Sequence, residues 1–370
     1  MNMSAELGKL TLKNPVMVAA GPWSGSLEGL KKCFASGAGA VVAETIVMET
    51  HPTLHPYFHA SGTQLFSIRL HSDLYLEQWE KSLTSLDKRE AKLICSISGE
   101  TVSEVRYLAA RVERMGADAI ELNLSAPVGM RYRAFSTYPE RVSKFVEAAV
   151  KAADLPVFVK LPYEASYFPD MLQSIYDAGA PAVTAIDALK CLSGVDLESR
   201  QTWMPTFGGY SADNIRPVSL AVTAMLKQYT PFQICSCGGI STSEHALQFI
   251  MLGATAIELG SAIHIEGYGV IGRVLQGMED WMTSHGYSSF SEIRGAALSS
   301  LRPFEEIRPR PVRAKLLRSC ATECDICRRG CIYGAIARQD GGITLDQKAC
   351  VGCGYCLARC PEKKLNWDWI

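Results

Sequence analysis

No apolar run in this chain is long enough to cross a bilayer, and the opening MNMSAELGKL lacks the basic-then-apolar order of a secretion signal. A cytoplasmic location is therefore expected, with no membrane as partner. Net charge is also scarce. A formal charge of −1 over 370 residues argues against a surface built to hold a polyanion, so nucleic acid is not an expected partner. The sequence has no strand–turn–helix G-x-G-x-x-G unit, which excludes a separate nicotinamide domain of that type. No short-period repeat stands out. What is left is an ordinary globular composition, 48% hydrophobic and 20% charged, long enough for one large domain and one small one.

Cysteine breaks this plainness. Of thirteen cysteines, eight lie near the C-terminal end, as C-x3-C-x2-C-x3-C (Cys320, Cys324, Cys327, Cys331) and C-x2-C-x2-C-x3-C-P (Cys350, Cys353, Cys356, Cys360, Pro361). In a reducing compartment such thiols are free or bind metal by default. The second run is the bacterial ferredoxin signature, in which three cysteines of a run hold one cubane and the fourth crosses to the other. That pattern assigns Cys320, Cys324, Cys327 and Cys360 to one 4Fe–4S cluster, and Cys350, Cys353, Cys356 and Cys331 to a second. The extra residue between Cys320 and Cys324 departs from the signature without removing a ligand. Zinc and disulfides are the alternatives. A zinc ribbon wants C-x2-C pairs around a longer spacer, which this pattern fits poorly. Oxygen-sensitive clusters point to an anaerobic niche. The scattered Cys33, Cys95, Cys191, Cys235 and Cys237 read as core thiols.

Upstream, eight short apolar runs alternate with amphipathic windows. The runs are 16–20, 40–45, 93–98, 119–124, 157–161, 182–187, 233–237 and 256–259. Apolar strands with little polar alternation are covered on both faces, as in a parallel sheet. Eight β–α units predict a (β/α)8 TIM barrel over residues 1–301, a doubly wound sheet being the alternative. A Pro/Arg-rich connector follows at 302–318, then a two-cluster ferredoxin-like domain at 319–370. Residues 46–90 interrupt the regular spacing and carry His51, His55, His59 and His71, which reads as a lid with solvated histidines rather than a metal site.

In a barrel, the C-terminal ends of the strands face the active site. Gly238 and Gly239 follow the seventh strand, and Gly260 and Ser261 the eighth, which together suit a phosphate. Lys160 sits in a buried strand and needs an anion, which a cofactor would supply. The segments NPVMVAAG, ELNLSAPVGM, VKLP, CGGISTSEHAL and GATAIELGSAIHIEG then resemble the dihydroorotate dehydrogenase superfamily. With the C-terminal cysteines, the likeness is nearest to the FMN- and pyrimidine-binding portion of dihydropyrimidine dehydrogenase. The resemblance implies FMN at the barrel mouth, with Ala19, Ala20 and Gly21 along the flavin and Asn123 and Lys160 at its ring. Gly238, Gly239, Gly260 and Ser261 would hold its phosphate. Relatives are commonly homodimers.

Departures from the family pattern bear on the substrate. The position of the family's catalytic cysteine or serine holds Ala126, which moves no proton, and Val128 replaces a hydrogen-bonding residue. Glu44 stands for a family lysine and Asp187 for a substrate asparagine, while Ser67 is a loose counterpart of another. Two acids would repel a carboxylate, and either, with a pKa raised by burial, can give a proton; Tyr132, Ser136 and Tyr138 are competing donors. A structural pairing of Glu44 with Arg69 is the alternative. The expectation is an iron–sulfur flavoprotein oxidoreductase, using FMN and two 4Fe–4S clusters on an activated C=C or C=N bond of a small non-pyrimidine substrate. Electrons would pass to or from ferredoxin or a flavoprotein electron-transfer subunit. The alternatives are a dihydropyrimidine or dihydroorotate dehydrogenase and a non-catalytic electron-transfer subunit.

Overall fold

A computed structural model describes residues 2–124, 128–129, 138–308, 312–320, 324–339 and 341–366. The chain divides into two compact units, Met1–Leu301 and Arg302–Ile370.

In the first unit, Val16–Val18 (β1), Ala40–Ile46 (β2), Lys92–Ile97 (β3), Ala119–Asn123 (β4), Val157–Leu161 (β5), Ala182–Ala185 (β6), Gln233–Cys237 (β7) and Ala256–Leu259 (β8) form a closed barrel. Every neighbouring pair is parallel, and β8 returns to β1. All eight expected runs are strands of this barrel. They read as unbroken apolar runs because both faces are buried. Val16, Val18, Val41 and Ala43 face outward onto the helices, while Met17, Ala40 and Val42 face the interior.

The outer layer is made by Leu27–Ala35 (α1), Leu76–Thr84 (α2), Val102–Arg114 (α3), Pro139–Ala152 (α4), Pro169–Asp177 (α5), Arg216–Tyr229 (α6), Ser243–Met251 (α7), Ser261–Glu266 (α8) and Gly269–Ser284 (α9). Their starts are written in the sequence. Ser26, Thr101 and Thr242 each accept a backbone N–H with the side chain at an N-cap, and Pro139 and Pro169 occupy first-turn positions. Helix α2 lies inside 46–90, so that stretch is more than a loop. Its Trp79 is fully buried and donates Nε1 to Ser72 Oγ at 3.1 Å. Burying a large apolar side chain in this way contributes roughly 1.5–3 kcal/mol.

Two additions close the ends of the barrel. Ala5–Leu7 and Leu10–Leu12 pair as an antiparallel hairpin, and its leucines pack with Met17, Ile94, Ala119, Phe158, Ala182 and Ala256 from the inner face. The hairpin is therefore a hydrophobic stopper at the N-terminal end. At the other end, Phe58–Ser61, Gln64–Ser67, Gly208–Ser211 and Leu189–Cys191 form a four-stranded antiparallel sheet. Half of it comes from 46–90 and half from the segment after β6.

The second unit has short antiparallel pairs, Lys315–Leu316 with Leu365–Asn366 and Ile336–Gln339 with Gly342–Leu345. Two five-residue helices, Ile326–Gly330 and Tyr355–Arg359, each carry a cysteine inward, Cys327 and Cys356. The small core contains Ala314, Ile336, Ile343 and Leu365 together with these cysteines.

Candidate active site

The interior side chains rise in layers two residues apart, as the strand period requires. Ala119, Phe158 and Ala256 form an apolar layer deeper in the barrel. Two residues further along the same strands come Glu121, Lys160 and Glu258, which line a cavity at the barrel mouth with about 1160 Å³ of empty space including its opening. Asn123 and Gly260, two residues on again, line it above them.

Lys160 is 6% exposed, and its Nζ lies 2.6 Å from Glu258 Oε2 and 3.9 Å from Glu121 Oε1. Burial alone would lower the ammonium pKa. The surrounding acids Glu121, Glu258 and Asp187 outweigh it and hold the lysine well above its usual range. The anion expected from a cofactor is thus already supplied by the protein. Cys237, read as a core thiol, lines this cavity, and burial pushes its pKa up to about 12, so it is a neutral thiol.

One wall is Ala19, Ala20, Gly21 and Trp23, the indole Nε1 donating to the Ala19 carbonyl at 2.6 Å. A side chain on Gly21 would run into the Trp23 ring. The end of the cavity beyond β7 and β8 is Gly238, Gly239, Gly260 and Ser261. Gly239 has φ 76°, and a Cβ there would come within 2.7 Å of the Arg216 backbone nitrogen. Only glycine lets the chain pass here while exposing bare backbone to the cavity. These positions coincide with the residues expected to take a flavin and its phosphate.

The cap side supplies Phe58, Leu65, Ser67, Arg69 and His71. Arg69 grips Glu44 with both arms of its guanidinium, Nε to Oε1 at 2.6 Å and Nη2 to Oε2 at 2.8 Å. Its Nη1 donates to Thr53 Oγ1 at 3.0 Å, and Asp73 is 3.4 Å away. The hydrogen bond to Glu44 is the main reason that the Arg69 pKa rises. Glu44, a candidate proton donor from sequence, is therefore held as a hydrogen-bond acceptor in a neutral pair, and the charge reversal at this position is compensated. Asp187 lines the opposite side and receives the Ala188 N–H at 2.8 Å. Burial pushes its carboxyl above the usual range, with Lys160 opposing.

His71 Nδ1 is buried with no hydrogen-bond partner among the described residues, and burial, then His51, lowers its pKa to about 4. His51 and His55 are exposed, and His59 lies against Trp203 with ring centroids 4.7 Å apart. No three His, Cys, Asp or Glu side chains among the described residues converge as ligands of a single ion would. Val128 lines the cavity; Tyr138 is 39% exposed and caps α4 without lining it. Ala126, Tyr132 and Ser136 lie outside the described residues.

The sequence reading misses Glu121, Glu258 and Trp23. The two acids had a signal, since a charge inside an otherwise apolar buried strand needs a partner just as Lys160 does.

In the C-terminal unit the cysteines border two small cavities. One is lined by Cys320, Cys324, Cys327 and Cys360, the other by Cys331, Cys350, Cys353 and Cys356.

A closed parallel barrel with a glycine-rimmed mouth, a buried lysine and an antiparallel cap defines the class of this protein, and comparison with known proteins gives its family. The family model described as dihydroorotate dehydrogenase matches residues 2–282, and the chain belongs to that family. It is 30% identical over 303 residues to the catalytic subunit of dihydroorotate dehydrogenase B (NAD(+)) from Pyrococcus abyssi, a match covering 80% of this chain and 99% of that protein. The corresponding subunit of Methanothermobacter thermautotrophicus is 29% identical over 300 residues, covering 80% and 98%. The NAD-dependent dihydropyrimidine dehydrogenase subunit PreA of Escherichia coli K12 is 25% identical over 378 residues, covering 96% and 85%. The protein is accordingly an FMN-dependent oxidoreductase acting on CH–CH or CH–NH groups.

Proposed function

We propose that this protein is a dehydrogenase or reductase of the dihydropyrimidine type, which binds FMN in the barrel mouth and exchanges electrons through two 4Fe–4S clusters in a C-terminal ferredoxin-like domain. The observation that carries the reading is the cavity itself. Bare glycine backbone bounds one end, a polar rim the other, and a lysine–carboxylate group the floor. Asn123 and Lys160 would hold the flavin ring, Ala19, Ala20 and Gly21 its side, and Gly238, Gly239, Gly260 and Ser261 its phosphate. Gly239, kept bare by the Arg216 backbone packed against it, leaves main chain rather than a side chain at the cavity wall, as a phosphate site needs. Bound there, FMN supplies two-electron exchange with carbon and one-electron exchange with the clusters.

The substrate follows from the charges. Arg69 is already neutralised by Glu44 and Asp73, so among the described residues the rim offers no unpaired guanidinium to a carboxylate. Glu44 and Asp187 as acceptors, with Arg69 and Ser67 as donors, match a neutral ring that alternates N–H and C=O. This favours a dihydropyrimidine over dihydroorotate, and the names of the relatives favour the pyrimidine alternative over the non-pyrimidine substrate expected from sequence. Val128 in the lining is the observation that keeps a non-pyrimidine ring as the second reading. Of the proton donors considered, we assign Asp187, whose buried carboxyl is biased towards its protonated form. Glu44 positions Arg69 instead.

Each cysteine cavity is bordered by four cysteines drawn from both runs, the arrangement that crossed cubanes would need, and the match to PreA extends along 96% of the chain. Cys320, Cys324, Cys327 and Cys360 would hold one cluster, and Cys331, Cys350, Cys353 and Cys356 the other. The electron partner is ferredoxin or a flavoprotein subunit, and the homodimer belongs to the same proposal.

The test is an anaerobic spectrum and iron count, then reductive titration with pyrimidines, enones and cationic heterocycles. About one flavin and about eight irons per chain, with reoxidation by uracil-type rings, is the expected result. Reoxidation by another class alone would select the second reading. The expected cofactors with no reoxidation by any compound would point to an electron-transfer subunit instead.

A further inference from the structure

The interior below the cavity carries more acid than base. Glu121 on β4 and Glu258 on β8 are each 1% exposed, and Lys160 on β5 is the cation that both face. Nζ of Lys160 engages Glu258 Oε2 at 2.6 Å, whereas Glu258 Oε1 is buried and without a hydrogen-bond partner among the described residues. Glu121 Oε1 is 3.9 Å from that same Nζ, so two buried carboxyl groups crowd one ammonium. Two carboxylates so placed repel each other unless one of them takes up a proton. The other titratable groups facing the site are Cys235 and Cys237 on β7 and Asp187 after β6; burial favours the neutral form of all three, and none of them can supply a second cation. One ammonium cannot balance two buried carboxylates.

We propose that Glu121 and Glu258 hold one proton between them, so that with Lys160 they form a neutral trio that stores a dissociable proton beneath the cavity. Two carboxylates, one ammonium and one proton sum to zero. A negative charge forming above would draw in a second proton, and a positive charge would expel the first, in each case without movement of a side chain. In agreement, burial and then the neighbouring Glu121 push the Glu258 carboxyl up, and Lys160 only partly opposes them. The proposal goes beyond the functional reading and does not depend on which ligand fills the cavity.

The test is infrared spectroscopy of the purified full-length protein near neutral pH, with and without glutamate labelled with carbon-13 at the side-chain carboxyl. A protonated-carboxyl C=O band that shifts with the label is expected. Labelling separates it from Asp187. The band should vanish in Glu258→Gln, which keeps an acceptor for Lys160, and also in Glu121→Gln, because the remaining acid then pairs with the lysine as a carboxylate. Absence of a label-sensitive band in the parent protein would overturn the proposal, and so would a band that survives both substitutions. The measurement on the parent protein decides the matter even where a variant fails to fold. Failure to bind flavin or turn over a pyrimidine would leave the band in place, so the two readings fail separately.

Discussion

Arg69 and Glu44 neutralise each other where burial makes an unpaired charge costly, their side chains being 12% and 5% exposed. Removing one partner strands the other. Arg69→Ala is expected to cost about 3–5 kcal/mol in urea denaturation, and the combined Arg69→Met, Glu44→Gln change should recover part of it. His71 supplies the pH dependence at this scale. Its folded pKa is lowered from 6.5 to about 4, so between those values the unfolded chain binds more protons than the folded one. Its contribution is complete above about 6.5 and is lost as the pH falls towards about 4. His71→Asn should therefore lose less stability over that interval than the parent, and an identical acid profile would refute the assignment. Single residues were also where the sequence was least legible. Lys160 is conspicuous in VFVKLP, but its partner Glu258 is 98 residues away and meets it only because the barrel closes. The pairing of Glu44 with Arg69, 25 residues on, is the alternative that the sequence offered and the structure contains, but nothing in the local pattern chose it over a proton-donating Glu44.

At the scale of elements, legibility followed locality. The barrel strands announce themselves because burial on both faces leaves apolar runs, and α3 and α7 begin where Thr101 and Thr242 can cap them. The cap sheet had no such signature. Gln64–Ser67 pairs with Gly208–Ser211 across more than a hundred residues, and its half-exposed strands have neither long apolar runs nor strict alternation. A long insertion therefore read as a loop although it holds two strands and α2. Gly208 marks where the cap is tightest, since a Cβ there would collide with the Ser67 carbonyl oxygen. Gly208→Ala should part these strands. Faster amide exchange at residues 58–67 with an unchanged barrel melting temperature is the expected outcome, and unchanged exchange would mean that the sheet tolerates the extra carbon.

For the whole molecule, the proposal that the two units carry separate cofactors predicts that damage to one spares the other. Cys353 is exposed and is a proposed ligand of the second cluster. Cys353→Ser is expected to lower the iron content from about eight to about four per chain and to abolish electron exchange with an external carrier, with flavin content unchanged. Loss of flavin in that variant would show that the units depend on one another. The cysteine spacing is what suggests this division, because closely spaced thiols point to a shared site within one stretch of chain, whereas the residues that would choose a substrate come from several distant loops.

The leucine hairpin beneath the barrel has a kinetic consequence. With Leu7 and Leu12 fully buried against the inner face, the hairpin shuts the N-terminal end of the barrel, and among the described residues the cavity opens only towards the cap. A spent molecule must leave by the route through which its successor arrives, so the carbon substrate and its product take turns, and each obstructs the other's passage.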